Sequence, residues 1–222
     1  CRLGSPVIVK PAISGGSRGV GTRNVVKDAA ALDALIPALA EGYRGWNLAA
    51  GGLIAESFID GPEYTCFLTG DYRNPSGARI YTPVERVFHA SLPDHEKFLS
   101  FDRLWEIYEE ETAMPGAENF YEYAPVSDPA LSAALSELSW QAYTALQGTG
   151  YTRVDIRQDR QSGRLFVLEA NAQCGISEDE NFTSIGAILK FSGCSFTSLI
   201  ASLIRDALTR PHIRTLSASQ PL

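Results

Sequence analysis

Lys10 closes a run of β-branched residues, VIVKP, and a stretch rich in glycine and serine, SGGSRGVG, follows it almost at once. Much further along, Arg153 and Asp155 stand two apart in TRVDI, and Glu169 and Asn171 two apart in LFVLEAN. An ammonium group beside glycine-rich backbone suits an anion, because glycines permit positive φ and let amides point at it. Two carboxylates and a side-chain amide are hard oxygen ligands, suited to Mg²⁺ together with nucleotide phosphates.

The familiar phosphate loops do not fit. A P-loop places its lysine after the glycines, whereas Lys10 precedes them. A dinucleotide fingerprint needs GxGxxG opening a helix. Gly16, Gly19 and Gly21 have other spacing, and TRNVV after them has strand character. What remains is a flexible loop between two antiparallel strands, in which Ser17 adds a hydroxyl donor. On this stretch alone two readings stand equal: an anion cradle, or a plain glycine hairpin with Lys10 at a solvent-facing strand end.

In an extended strand side chains alternate, so Arg153, Asp155 and Arg157 share one face, and Glu169 and Asn171 share one face of the next strand. A turn centred near Ser162 brings Asp155 opposite Glu169 to within a residue. Carboxylates so placed repel and desolvate one another unless a cation joins them. The alternative is a polar hairpin face that is merely solvated, but both strands are apolar on their other faces, as if covered by helices. In AESFIDGPEY, Glu56 follows a buried-looking strand and Glu63 follows a turn. Backbone groups of Ser57, Phe58 and Ile59 could pair with an adenine edge and Glu63 could accept from ribose hydroxyls; a strand–turn–strand with two solvated glutamates is the other reading.

The elements that must hold these groups read as α+β. Strands are expected at Val7–Lys10, Arg23–Lys27, Leu53–Ile59, Tyr64–Leu68 and Arg79–Phe88, and a hairpin at Arg153–Gln158 and Leu165–Asn171. Helices are expected at Asp28–Glu41, with Asp28 as N-cap and Pro37 as a kink or early end, at Pro129–Gln147 and at Phe196–Leu208. Residues 89–126 are irregular, acidic and aromatic, as a functional lid or an insert would be, and the last ten residues read as a loose tail.

The 222 residues suffice for one domain or two small lobes, and 45% hydrophobic with 20% charged is ordinary for a globular protein. A net charge of −7 speaks against a nucleic-acid surface, and no apolar run is long enough to span a bilayer. The four cysteines, Cys1, Cys66, Cys174 and Cys194, contain no CxxC pair, so reduced thiols in a cytoplasmic compartment are expected. The chain starts at Cys1 without a methionine and is expected to be a fragment.

Together and in order, VIVKP, SGGSRGVG, ESFIDGPE, RVDI and LEANAQCGIS resemble the ATP-grasp enzymes, specifically the D-alanine–D-alanine ligase family, from about residue 5 to residue 208. The resemblance implies two α+β lobes with antiparallel sheets clamping a nucleotide: 1–56 as an incomplete small lobe, and 57–222 as the C-terminal lobe with the metal site and a lid insert at 89–126. It implies that Lys10 binds the α- and β-phosphates, and that Ser17 with the amides of Gly15, Gly16 and Gly19 covers them. Glu56 and the backbone of Ser57, Phe58 and Ile59 would read adenine, and Glu63 would hold the ribose. Asp155, Glu169 and Asn171 would bind Mg²⁺ or Mn²⁺, and Arg153 would stabilise the acyl-phosphate and the tetrahedral intermediate that follows. The implied partners are ATP and small carboxylate and amine substrates, amino acids among them; a homodimer is compatible with the resemblance.

Three departures stand out. The family's N-terminal domain and the first part of its central lobe have no counterpart in this sequence. Its lid lysine, which reaches the γ-phosphate, is replaced in FLSFDRLW by Leu104 and Trp105, leaving Arg103 as the substitute and Lys97 as another candidate. After LEANAQCG, the acidic run Glu178–Asp179–Glu180 would repel a carboxylate and suit an amine or cationic substrate. A catalytically impaired ATP-binding regulatory or interaction module is therefore the alternative to an active ligase.

Overall fold

The computed structural model describes residues 3–109, 111–114, 118–181 and 183–210, so the expected tail lies outside the described residues. Nine strands are named here: β1 (Val7–Pro11), β2 (Val25–Val26), β3 (Leu53–Ser57), β4 (Glu63–Asp71), β5 (Arg79–Ile80), β6 (Val84–Phe88), β7 (Tyr121–Pro125), β8 (Thr149–Gln158) and β9 (Leu165–Ala172). The helices are α1 (Ala29–Glu41), α2 (Phe101–Leu104), α3 (Pro129–Ala145), α4 (Ser184–Phe191) and α5 (Phe196–Thr209).

Two compact units divide the chain. One comprises Cys1–Tyr64, Glu85–Ala124 and Ile156–Leu168; the other comprises Thr65–Val84, Pro125–Asp155 and Glu169–Leu222. The first contains an antiparallel sheet ordered β2-β1-β3, in which Val7 faces Val26 on one side and Ser57 on the other. The glycine-rich segment therefore joins antiparallel strands, as expected, although the second strand is only Val25–Val26 and a short 3₁₀ turn, Thr22–Asn24, precedes it. Asn24 explains that shortening. It is fully buried, its Nδ2 donates to the carbonyls of Val9 and Gly19, and its Oδ1 accepts from Gly21 N–H. Its backbone N–H turns back to the Gly21 carbonyl at 3.0 Å, so the ladder with β1 begins only at Val25.

Under this sheet, Val9, Val26, Leu35, Leu39 and Leu48 form the core. Asp28 caps α1 by accepting from Ala31 N–H at 2.9 Å, and Pro37 neither breaks nor shortens the helix, which runs to Glu41 before Gly42 turns the chain at φ 84°. A second cluster, Leu92, Met114 and Phe120, organises part of the insert. The expected single strand Arg79–Phe88 is two strands, β5 and β6, with Tyr81–Pro83 between them; proline has no N–H to continue the ladder.

The remaining strands form a six-stranded sheet, ordered β7-β6-β4-β8-β9 with β5 on β4. In the second unit Phe67, Leu68, Leu135, Val154, Ile185, Ile188 and Leu199 are almost fully buried, and Tyr143 O–H donates to the Gly70 carbonyl at 2.8 Å. Helix α4 is absent from the sequence expectation: SIGAILKF is buried from Ser184 through Leu189, so no polar stripe marks its period. Among the described residues, no single helix is long and apolar enough to cross a membrane.

Candidate functional site

The antiparallel register sets Lys10 opposite Ile54 and Ile8 opposite Glu56, so Lys10 and Glu56 are diagonal neighbours on one face. Their charged ends form an ion pair, with the side chains 26% and 48% exposed. A lysine held this way is reachable from solvent and can be drawn to a stronger anion. Beyond it the loop is bent by positive φ at Gly16 (62°), Ser17 (59°) and Gly19 (75°). Ser14 Oγ donates to the Arg18 carbonyl and Val20 N–H to the Ser17 carbonyl, closing a tight turn. Arg18 folds back on the loop: its Nε donates to the Gly15 carbonyl at 3.2 Å, and its guanidinium lies 5.3 Å from the Trp46 ring centre.

The segment after β3 is already partly engaged. Phe58 N–H donates to the Pro6 carbonyl at 3.0 Å, and the Ile59 carbonyl accepts from Arg157 Nη1 at 2.9 Å. Gly61 turns the chain at φ 153°, and a Cβ there would lie 2.0 Å from the Gln158 carbonyl oxygen, so only glycine fits. Glu63 is 5% exposed, with one carboxylate oxygen against Arg86 Nη1 and the other 3.2 Å from Arg157 Nε. A ribose hydroxyl at Glu63 would therefore share an oxygen with a guanidinium. Arg157 also donates to the Lys97 carbonyl, so one buried arginine ties this segment, Glu63 and the insert together.

The two cations considered for the lid are placed differently from expectation. Arg103 is buried and ion-paired with Glu96 at 2.6 Å and Glu111 at 3.3 Å, while its guanidinium lies 5.7 Å from the Phe120 ring centre. Lys97 pairs with Asp94 at 2.7 Å. The physical reason is that α2 turns Arg103 inward, where two carboxylates compensate its charge; the outward residue is Trp105, 57% exposed.

In the second unit the carboxylate face assembles as the alternation implies. Asp155 is 5% exposed; Thr65 Oγ1 donates to its Oδ1 at 3.0 Å, and Arg153 donates to its Oδ2 through Nη2 at 2.8 Å and Nε at 3.1 Å. Asn171 Nδ2 bridges Asp155 Oδ2 at 3.2 Å and Glu169 Oε1 at 2.9 Å. Loss of hydration, followed by the charge of Asp155, raises the Glu169 pKa above its ordinary value; Asn171 and Arg153 oppose that rise. Among the described residues no group of three or more His, Cys, Asp or Glu side chains could hold a metal. The set here is two carboxylates and an amide, which suits Mg²⁺ with water and phosphate oxygens completing its shell. Asn171 presents oxygen to a cation after a half-turn of its amide, which exchanges the nitrogen and oxygen positions.

Cys174 is buried, and burial pushes its thiol up to about 11, away from thiolate character at neutral pH. The acidic run after it is partly engaged on the approach to α4. The Asp179 carbonyl accepts from Thr183 N–H and Oγ1, Asp179 Oδ1 accepts from Asn181 N–H, and Glu180 pairs with Lys190. The Glu180–Lys190 pair offsets one charge of the run.

Sequence reasoning assigned no role to Arg157, Glu111 or Trp105. Arg157 carried one signal, an arginine in register with Arg153 and Asp155 on a strand whose other face is apolar. Glu111 and Trp105 carried none, because their partners are about ninety residues away in the chain.

The profile of the family described as "D-ala D-ala ligase C-terminus" matches residues 1–205. The chain is 31% identical over 207 residues to the D-alanine–D-alanine ligase of Halorhodospira halophila, covering 93% of this chain and 56% of that one. It is 29% identical over 207 residues to D-alanine–D-alanine ligase B of Xanthomonas campestris, covering 93% and 54%. The VanG D-Ala:D-Ser ligase structure from Enterococcus faecalis superposes with a TM-score of 0.65 at 21% identity, over 92% of this chain and 50% of that one. The D-alanine–D-alanine ligase of Bacillus anthracis complexed with ATP gives 0.61 at 20% identity, over 93% and 53%. The chain spans about half the length of the relatives it matches, and the structural likeness identifies its α+β architecture as the ATP-grasp fold.

Proposed function

The chain belongs to the D-alanine–D-alanine ligase C-terminal family, and from that premise we propose that it serves an ATP-dependent carboxylate–amine ligase. ATP phosphorylates a small carboxylate, and an amine then displaces phosphate to form an amide. The observation that carries this reading is the Asp155–Glu169–Asn171 face with Arg153 doubly hydrogen-bonded to Asp155. Two carboxylates and an amide so grouped match what Mg²⁺ takes from protein in nucleotide sites.

In this reading Lys10 and the amides of Gly15, Gly16 and Gly19, with Ser17, hold the phosphates. Glu56 and the backbone remaining on Ser57–Ile59 meet adenine, and Glu63 meets the ribose. Mg²⁺ held by Asp155, Glu169 and Asn171 would supply charge neutralisation for the transferring phosphoryl group. Arg153, which pairs with Asp155 and Glu169, would offer its guanidinium to the developing negative charge. Amino acids fit both substrate roles, and D-alanine is the member the relatives' names suggest.

A second reading, an ATP-binding module without ligase activity, is favoured by the ion pairing of Arg103 and Lys97 within the insert. Calorimetry with Mg·ATP, on the wild type and on Asp155→Ala with Glu169→Ala, tests both. Binding by the wild type alone supports the metal face, and no binding by the wild type sinks both readings. Amine-dependent ADP release by the full-length protein, across a panel of D- and L-amino acids, separates ligase from module.

A further inference from the structure

The glycine-rich loop is fixed at its base by Asn24 and along its crown by the insert. Trp105 Nε1 donates to the Gly16 carbonyl at 2.9 Å, and Phe101 N–H donates to the Val20 carbonyl at 2.8 Å. Thr22 N–H donates to Glu111 Oε1 at 2.8 Å. The other Glu111 oxygen accepts from Ser100 Oγ at 2.5 Å and lies 3.3 Å from Arg103 Nε, while Glu111 N–H donates to Asp102 Oδ2 at 2.9 Å. Glu111, Asp102 and Arg103 are 8%, 5% and 7% exposed. Phe101 packs edge-on against Tyr43 and Trp46.

From this we propose that Glu111 and Trp105 are positioning residues for the glycine-rich loop, acting on phosphate binding through the loop backbone. A trans peptide plane points its carbonyl and the following N–H in opposite directions. Fixing the Gly16 carbonyl on Trp105 therefore turns the Ser17 N–H away from the insert, while Gly21 N–H, after the Val20 carbonyl held by Phe101, is already taken by Asn24 Oδ1. The φ of 62° favours glycine at position 16, and a Cβ there would just touch the Trp105 ring at 3.4 Å. The insert thus sets the direction of amides that a glycine loop by itself would leave variable. The buried Arg103, unsuited to reach a phosphate, gains a function here as the countercharge that holds Glu111 in place. The consequence for phosphate rests on the ATP reading above; the mechanical role of the two residues does not.

The test combines amide hydrogen exchange of residues 14–24 without nucleotide, thermal melting, and calorimetric titration with Mg·ATP. The variants are Trp105→Phe, Glu111→Gln and Glu111→Ala. Trp105 is exposed, so Trp105→Phe keeps an aromatic side chain and loses the N–H donor with the pyrrole half of the indole. Exchange in the loop should accelerate and Mg·ATP should bind about fivefold more weakly, the worth of one hydrogen bond, with the melting temperature nearly unchanged. Glu111→Gln keeps an acceptor for Thr22 and should retain protection at Thr22; Glu111→Ala should lose it. Loop exchange as slow in Trp105→Phe and Glu111→Ala as in the wild type overturns the proposal, and so does unchanged Mg·ATP affinity in both. If the wild type itself does not bind Mg·ATP, the nucleotide reading fails while the exchange data still decide whether these residues hold the loop.

Discussion

Lys10 on β1 and Glu56 on β3 are ion-paired across adjacent antiparallel strands, two positions out of direct register. Both side chains reach solvent, so the pair contributes at most about 1 kcal/mol to folding. Lys10→Ala should leave urea stability within that margin. Its Mg·ATP affinity should fall roughly ten- to hundredfold, the worth of a hydrogen bond to a charged group, in a calorimetric titration.

Glu63 behaves in the opposite way, because it is buried between Arg86 and Arg157. Removing the carboxylate takes this countercharge from two buried guanidinium groups. Glu63→Ala should cost about 3–5 kcal/mol by chemical denaturation, and Arg157→Ala should cost a similar amount while releasing the Ile59 and Lys97 carbonyls.

The metal face gives a prediction of opposite sign in the presence and absence of cation. Desolvation and the neighbouring Asp155 disfavour the Glu169 charge, against Asn171 and Arg153. Glu169→Gln should therefore match or slightly exceed the wild type in melting temperature without cation. It should lose the rise in melting temperature that Mg²⁺ with ATP gives the wild type, as differential scanning calorimetry would report.

At alkaline pH the buried thiols and phenols act together. Burial raises Cys66 to about 12 from 9.0 and Cys174 to about 11 from 9.0. It also raises Tyr64 and Tyr143 to about 12 from 10.0. These groups keep their protons in the folded chain and lose them in the unfolded one. Stability should therefore be unaffected by them below about pH 8 and fall as pH rises through the interval from 9 to 12. Urea midpoints measured across that interval should decline, and Cys66→Ala should flatten the decline by one proton's slope.

The chemistry-bearing segments were legible because each is local. The lysine preceding its glycines, the RVD and EAN alternation and the capped helix at Asp28 depend on period and neighbour chemistry, and the structure forms all three. Helix α4 was not legible, since burial on every side removes the polar stripe that reveals a helical period. The sequence presents the acidic run 178–180 as three like charges, and the fold brings Lys190 onto Glu180 from ten residues away.

The sequence by itself determined which residue types stand at which alternating positions, and hence the α+β class, the order of the motifs and the shared face of Asp155, Glu169 and Asn171. Only the tertiary structure decided how charges are spent: Arg103 on Glu96 and Glu111, Glu63 on Arg86 and Arg157, Arg18 on its own loop and Trp46. The reason is the range of the interactions. Side-chain alternation is fixed by the backbone one residue at a time, while a buried charge takes whichever partner the folded chain brings within about 4 Å, often from ninety residues away.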